Sequence, residues 1–176
     1  MTRTQKLDQL INSGPQILLP GLLAFASAII LGAAHFFEYL GYAPCTLCHW
    51  QRIPYYLALL LPLLIFVPGR RGLDLALFCG LLLFLATAFV GGFHGGVEQG
   101  FWAGPSTCSG ASLPTDPAAA LEQIMKAKLV RCDDISWSFL GLSMAVWNML
   151  IALGLAGFSG YALYRRHIIQ KGQSHG

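Results

Sequence analysis

The sequence predicts an all-α fold: an integral membrane four-helix bundle with a long outer loop that carries a short amphipathic helix. Three observations predict it. Of the 176 residues, 55% are hydrophobic and only 11% are charged, whereas roughly a quarter are charged in a soluble domain. The apolar residues fall into four blocks, about 16–39, 52–67, 73–93 and 139–164, close to the ~20 residues a helix needs to cross the hydrocarbon core. Lysine and arginine gather between the blocks on one side. Residues 1–176 therefore read as a single membrane domain with no soluble one.

The first block follows Arg3 and Lys6 and contains Ala26-Ser27-Ala28, which imitates a secretory signal and its cleavage site. Apolar character continues through Leu31 to Phe37 with no polar region after the supposed cut, so the block is expected to span. The second block is short: from Arg52 to Val67 a helix rises only ~24 Å, so it must tilt little, thin the bilayer or begin upstream near Cys48. Pro54 suits the first turn of a helix, and Pro62 is expected to kink the block. In the third block Cys79, between Phe78 and Gly80, reads as a small buried hydrophobe. The fourth runs from Phe139 to Tyr164.

With four spans, Arg3, Lys6, Arg70, Arg71, Arg165, Arg166 and Lys171 share one side, which is then the cytoplasm. The other side holds two outer loops, about 40–51 and 94–138. In the longer, Asp116-Pro117 supplies an N-cap and a proline at the first helical position, and Leu121, Ile124, Met125 and Leu129 recur at helical spacing. Such a helix would lie flat on the bilayer. The net charge of +3 is small and its positive residues form no basic face, which argues against a nucleic-acid partner.

Four of the five cysteines, Cys45, Cys48, Cys108 and Cys132, fall in the outer loops, on the side of a cell membrane where disulfides persist. Cys45-Thr46-Leu47-Cys48 is a CxxC just before the second block. A thiolate at a helix start or beside a cation is stabilised. Helical geometry from Cys48 would put Arg52 on the same face as its sulfur; without that, Arg52 is an interfacial anchor. Three other readings remain open. Cys45 to His49 is a literal CxxCH, the c-type haem signature, set in a loop too short to enclose a haem. A zinc site could draw on the CxxC, Cys108, Cys132, His35 or His94, but 23 residues separate Cys108 from Cys132, so a second close-set ligand pair is missing and no metal is expected. Two structural disulfides would clamp the loops without using the CxxC at the bilayer edge.

The same residues resemble the DsbB family. Pro44-Cys45-Thr46-Leu47-Cys48 with Arg52 resembles its P-C-x-L-C-x-x-x-R signature; His94 to Trp102 and on to Cys108, and Cys132-Asp133 through Trp137, Gly141-Leu142-Ser143-Met144 and Trp147, resemble its later segments. The resemblance implies a bacterial inner-membrane thiol:quinone oxidoreductase that reoxidises a periplasmic thioredoxin-fold protein of the DsbA type and passes the electrons to a quinone, ubiquinone or menaquinone. It implies that Cys108 meets the partner, Cys132 resolves and exchanges with Cys45, Cys48 is the thiolate facing the quinone, and Arg52 and His94 adjoin the quinone. His49 is not required by the family pattern, and Glu98 receives no role. A vitamin K epoxide reductase-like enzyme shares the bundle and the cysteine pairs but carries its CxxC near the last span. A membrane assembly protein with structural disulfides is the reading from another class.

Overall fold

A computed structural model describes residues 16–68, 71–105, 116 and 131–173. The elements are α1 (Leu18–Tyr39), α2 (Thr46–Ala58), a 3-10 turn (Leu61–Phe66), α3 (Arg71–Glu98), a hairpin of β1 (Ser138–Phe139) and β2 (Leu142–Ser143), and α4 (Met144–Gln173). By length and composition α1, α3 and residues 144–169 of α4 are each able to cross a membrane. The loop helix expected after Asp116-Pro117, and Cys108, lie outside the described residues.

The second block differs most from its expected bounds. Helix α2 starts at Thr46, well before Arg52, because the Cys45 side chain caps it and accepts from the Cys48 backbone N–H. Pro54 thus sits inside a helix, not in its first turn. The helix ends at Ala58, and Pro62 opens the 3-10 turn that follows. A 3-10 turn rises ~2.0 Å per residue against ~1.5 Å in α-helix. The broken segment therefore reaches roughly 30 Å from Thr46 to Phe66, enough for a hydrocarbon core.

Helix α3 runs past its expected end to Glu98, so His94 and Glu98 stand one turn apart on a helix and not in the outer loop. The fourth helix begins later than expected, at Met144, because Ser138–Ser143 close a hairpin first. Its turn is Leu140-Gly141, both at positive φ (52° and 77°), the backbone a two-residue hairpin of this twist requires.

Helices α3 and α4 make the most extensive contact in the bundle, and α3 also packs on α2. Gly91 and Gly95 allow the first contact: a Cβ on Gly91 would come within 3.2 Å of the Ala145 carbonyl, and one on Gly95 within 2.8 Å of Val146. Small residues four apart let two helices approach closely when lipid supplies no hydrophobic drive. Leu23, Tyr55, Leu77, Phe84 and Ala156 meet in the core, while Phe25 and Phe89 are exposed on the outside, as a lipid-facing surface requires. Where α3 begins, a Cβ on Gly72 would lie 2.5 Å from the Leu64 carbonyl oxygen and 2.9 Å from that of Val67. Both are backbone atoms with no rotamer to yield. Gly72→Ala is expected to cost about 2 kcal/mol of stability, read as a lower thermal midpoint in detergent.

Candidate redox site

The cap that starts α2 also assembles the site. Holding the Cys48 N–H at 3.4 Å, Cys45 is brought to 3.3 Å from Cys48, sulfur to sulfur. One turn before the end of α3, His94 presents Nε2 to the Cys45 sulfur at 3.5 Å. Cys45, Leu47, Val97 and Cys132 form one buried cluster with Cys48 and Phe93 against it, so the segment before the hairpin is packed onto the CxxC. The imidazole of His94 also reaches the Cys132 backbone. Cys132 is disulfide-bonded, whereas Cys45, Cys48 and Cys79 are free thiols. Cys79 lies elsewhere, part-buried in α3 among core residues.

The donors around this pair converge on Cys45. Its thiol is pulled down to about 4, first by the hydrogen bond with the Cys48 side chain and then by that with His94, against the opposing effect of burial; the Cys48 backbone N–H at the helix start adds to the same side. In the reduced pair the negative charge is thus drawn to the Cys45 sulfur. The reason is local: the helix begins between the two cysteines, so its N-terminal N–H groups point at the first sulfur and not at the second.

With the chain helical from Thr46, Arg52 stands one turn after Cys48, and its guanidinium has partners of its own. It spans from α2 to α1, donating to Glu38 Oε2 at 2.8 Å and to the Ala34 carbonyl at 3.4 Å. Its charge still reaches Cys48, and its side chain is only 11% exposed. His49 is exposed and faces a separate recess with His35, Glu38 and Tyr56.

A cavity of about 340 Å³ opens beside the sulfurs. Its floor is apolar, from Ile30, Ala34 and Leu31 of α1 to Ala145 and Ile151 of α4, and Cys45, Cys48, Arg52, His94 and Glu98 stand in its wall. Aromatic rings close its rim: Phe37 meets Trp137 at 5.2 Å, Trp137 stacks on Phe139, and Phe139 meets Trp147. An apolar pocket of this size with a few convergent polar groups is the usual form of a small-molecule site.

Several polar residues in this wall carried no signal in the sequence beyond being polar inside an apolar block. Gln51 bonds His94 Nδ1 at 2.8 Å, Asn148 donates to Gln51 at 2.6 Å, and Tyr55 donates to Asn148 at 2.8 Å. Glu98 lies 3.8 Å from His94 and accepts a short hydrogen bond from Ser143. Among the described residues every buried side-chain nitrogen and oxygen has a partner. Cys45, Cys48 and His94 bring their ligand-type atoms within 4.8 Å of one another. With Nδ1 accepting from Gln51, however, the neutral ring carries its hydrogen on Nε2, and that nitrogen meets sulfur as a donor and offers a metal no lone pair.

The family model described as disulfide bond formation protein DsbB matches residues 17–162. Disulfide bond formation protein B 2 of Pseudomonas entomophila (strain L48) is 32% identical over 145 residues, covering 78% of this chain and 83% of that protein. Disulfide bond formation protein B of Xanthomonas campestris pv. campestris (strain 8004) is 34% identical over 154 residues, covering 82% and 84%. That of Nitrosomonas europaea is 31% identical over 133 residues, covering 73% and 80%. No solved structure matches the chain. A membrane helical chain matched over nearly its whole length in this way, with its CxxC held against Cys132, belongs to the DsbB family of disulfide bond formation proteins.

Proposed function

We propose that this protein is a thiol:quinone oxidoreductase of the bacterial inner membrane, with both termini cytoplasmic and its cysteines periplasmic. It oxidises a DsbA-type dithiol protein and passes the electrons to ubiquinone or menaquinone. The observation that carries this reading is the apolar cavity whose wall holds Cys45, Cys48, Arg52 and His94. Quinones are apolar and live in the bilayer, and a cavity lined from α1 and α4 is one a lipid-dissolved ring can enter.

The exchange steps balance in the chain's own sulfurs. A thiolate of the partner attacks Cys108 of a Cys108–Cys132 disulfide, releasing Cys132; the partner's second thiol closes its own disulfide and releases Cys108. Cys132 then attacks Cys45 of an oxidised Cys45–Cys48 pair and expels Cys48. Attack of Cys108 on Cys132 restores the outer disulfide and expels Cys45. The lower the pKa of a leaving thiol, the faster it leaves, so the donors on Cys45 act on this last step. When bound, a quinone accepts the two electrons and two protons of the reduced pair. Arg52 has five N–H donors in a rigid fork, two of them directed at Glu38 and Ala34. Its remaining donors are the groups available to a carbonyl oxygen gaining negative charge.

The test mixes purified protein, a reduced thioredoxin-fold partner and a soluble quinone analogue while quinone absorbance is followed. Loss of absorbance is expected only when partner and enzyme are both present. In Arg52→Met the KM for quinone is expected to rise about tenfold or more, from one lost charged hydrogen bond. Catalytic oxidation of the partner with the quinone left unchanged would overturn the quinone assignment.

A further inference from the structure

The hydrogen bonds behind His94 run in one direction. The Tyr55 hydroxyl donates to Asn148 Oδ1 at 2.8 Å, so the Asn148 amide turns its Nδ2 toward Gln51 and donates to Oε1 at 2.6 Å. Gln51 is thereby left to donate from Nε2, and it does so to His94 Nδ1 at 2.8 Å. A ring nitrogen that accepts carries no hydrogen, so the neutral imidazole bears it on Nε2. Nε2 is the atom that faces the Cys45 sulfur at 3.5 Å. Two of the links are held in place by packing: Tyr55 is 1% exposed and lies against Phe84, and Gln51 is buried, with its backbone carbonyl accepting from Thr87 at 3.1 Å. Reversing the polarity at His94 means rotating both amides, because each has its oxygen and nitrogen committed to different neighbours.

We propose that Tyr55, Asn148 and Gln51 are positioning residues: together they lock His94 as the Nε2–H tautomer, so that the ring is a standing hydrogen-bond donor to the Cys45 sulfur. The chain crosses from α2 to α4, returns to α2 and passes on to α3, so the sulfur chemistry at the helix start is set by how three helices pack. Its consequence for reactivity is directional. A ring locked this way stabilises Cys45 as an expelled or resting thiolate, and it has no lone pair with which to take a proton from a Cys45 thiol. This inference rests on the thiol chemistry of the CxxC and does not need a quinone or a partner protein, so it stands or falls apart from the function proposed above.

The other ionisable groups in the wall around this contact are Cys48 and Arg52 from α2, Glu98 from α3, and Arg131 and Asp134 from the segment before the hairpin, which also offers the Cys132 backbone; α4 contributes the uncharged Asn148. Two measurements on the full-length protein test the lock. In reduced protein labelled with 15N-histidine, the signal absent from His94→Ala is expected to show an unprotonated Nδ1 and a protonated Nε2. In the second, alkylation of Cys45 is followed against pH. Gln51→Leu removes the donor that holds Nδ1, and the midpoint of the profile is expected to move up by about one pH unit, lowering the rate on the acid limb. In a His94→Ala background the same substitution is expected to change nothing, since its effect passes through the ring. Gln51→Glu offers Nδ1 an acceptor in place of a donor, so the ring is expected to carry both hydrogens and the acid limb to be retained. Tyr55→Phe keeps the ring in the core and cuts only the last link, and is expected to move the limb in the same direction as Gln51→Leu by less. The proposal is overturned if wild-type His94 carries its hydrogen on Nδ1, or if Gln51→Leu and Tyr55→Phe act equally with and without His94.

Discussion

Steady-state quinone reduction by the Cys48→Ala variant is expected to fall by about a thousandfold or more, the scale on which removing one member of a reacting unit acts. Cys45 would keep its cap, since the backbone N–H it accepts from belongs to residue 48 whatever the side chain. What disappears is the second sulfur, 3.3 Å away, with which Cys45 closes the inner disulfide in the proposed cycle. Electrons leave thiols for a quinone two at a time, and a lone Cys45 cannot close a disulfide behind them. The Cys108–Cys132 pair can still be reduced once. Mixing with a reduced partner should therefore give a burst of about one oxidised partner per chain, counted by thiol titration, and then stop. A misfolded variant would give no burst. Full multiple turnover in Cys48→Ala would sink the assignment of the CxxC as the inner pair.

The second large effect concerns pH. With its pKa held to about 4, Cys45 is fully thiolate at pH 6, where an ordinary thiol of pKa ~8.5 is ionised to only ~0.3%. Absolute rates are a poor measure of this, because nucleophilicity falls with pKa and, at a Brønsted slope of ~0.4–0.5, gives back roughly a hundredfold. The shape of the profile is the cleaner readout. Between pH 6 and 8 the alkylation rate of Cys45 in the reduced protein is expected to stay flat, where an ordinary thiol would rise about 75-fold. The sign for stability follows. A depressed folded pKa means that the unfolded chain binds the proton more tightly, so the contribution of this thiolate to the reduced protein is complete above about pH 9 and is lost as pH falls toward 4. Oxidised protein has no such titration. Reduced and oxidised forms should thus draw together in thermal stability as the buffer is made more acid, and a constant gap from pH 8 to 4 would show that Cys45 is not the thiolate.

Blocks of apolar residues separated by charged turns predict membrane helices, of which three are long and apolar enough to cross, because hydrophobic transfer is additive along the chain. The CxxC and its nearness to a helix start were legible for the same reason: capping and ring closure are local. The bounds of that helix were not. A proline at position 54 reads as a first-turn residue, and only the Cys45 cap and the packing of α2 on α3 carry the helix back to Thr46. His94 and Glu98 read as loop residues because Gly95 and Gly96 weaken helix propensity, and the contact with α4 overrides it.

Which sulfur holds the charge was decided by tertiary structure as well. Sequence spacing offered Arg52 to Cys48; the fold adds Glu38 of α1, which holds the guanidinium, and His94 of α3, which arrives at the other sulfur. Gln51, Asn148 and Tyr55 are far apart in the chain and individually unremarked, a polar residue here and there in apolar blocks. A hydrogen bond has a direction only once both partners are known, so no single-chain pattern could tell that these three form one chain ending on His94. Hydropathy and residue count were enough to read a helical membrane chain with a CxxC beside one of its helices, since both are local properties of the chain. The packing of α2, α3 and α4 decided that Cys45 is the poised sulfur and which nitrogen of His94 meets it, since a proton's place depends on every donor and acceptor within a few ångströms.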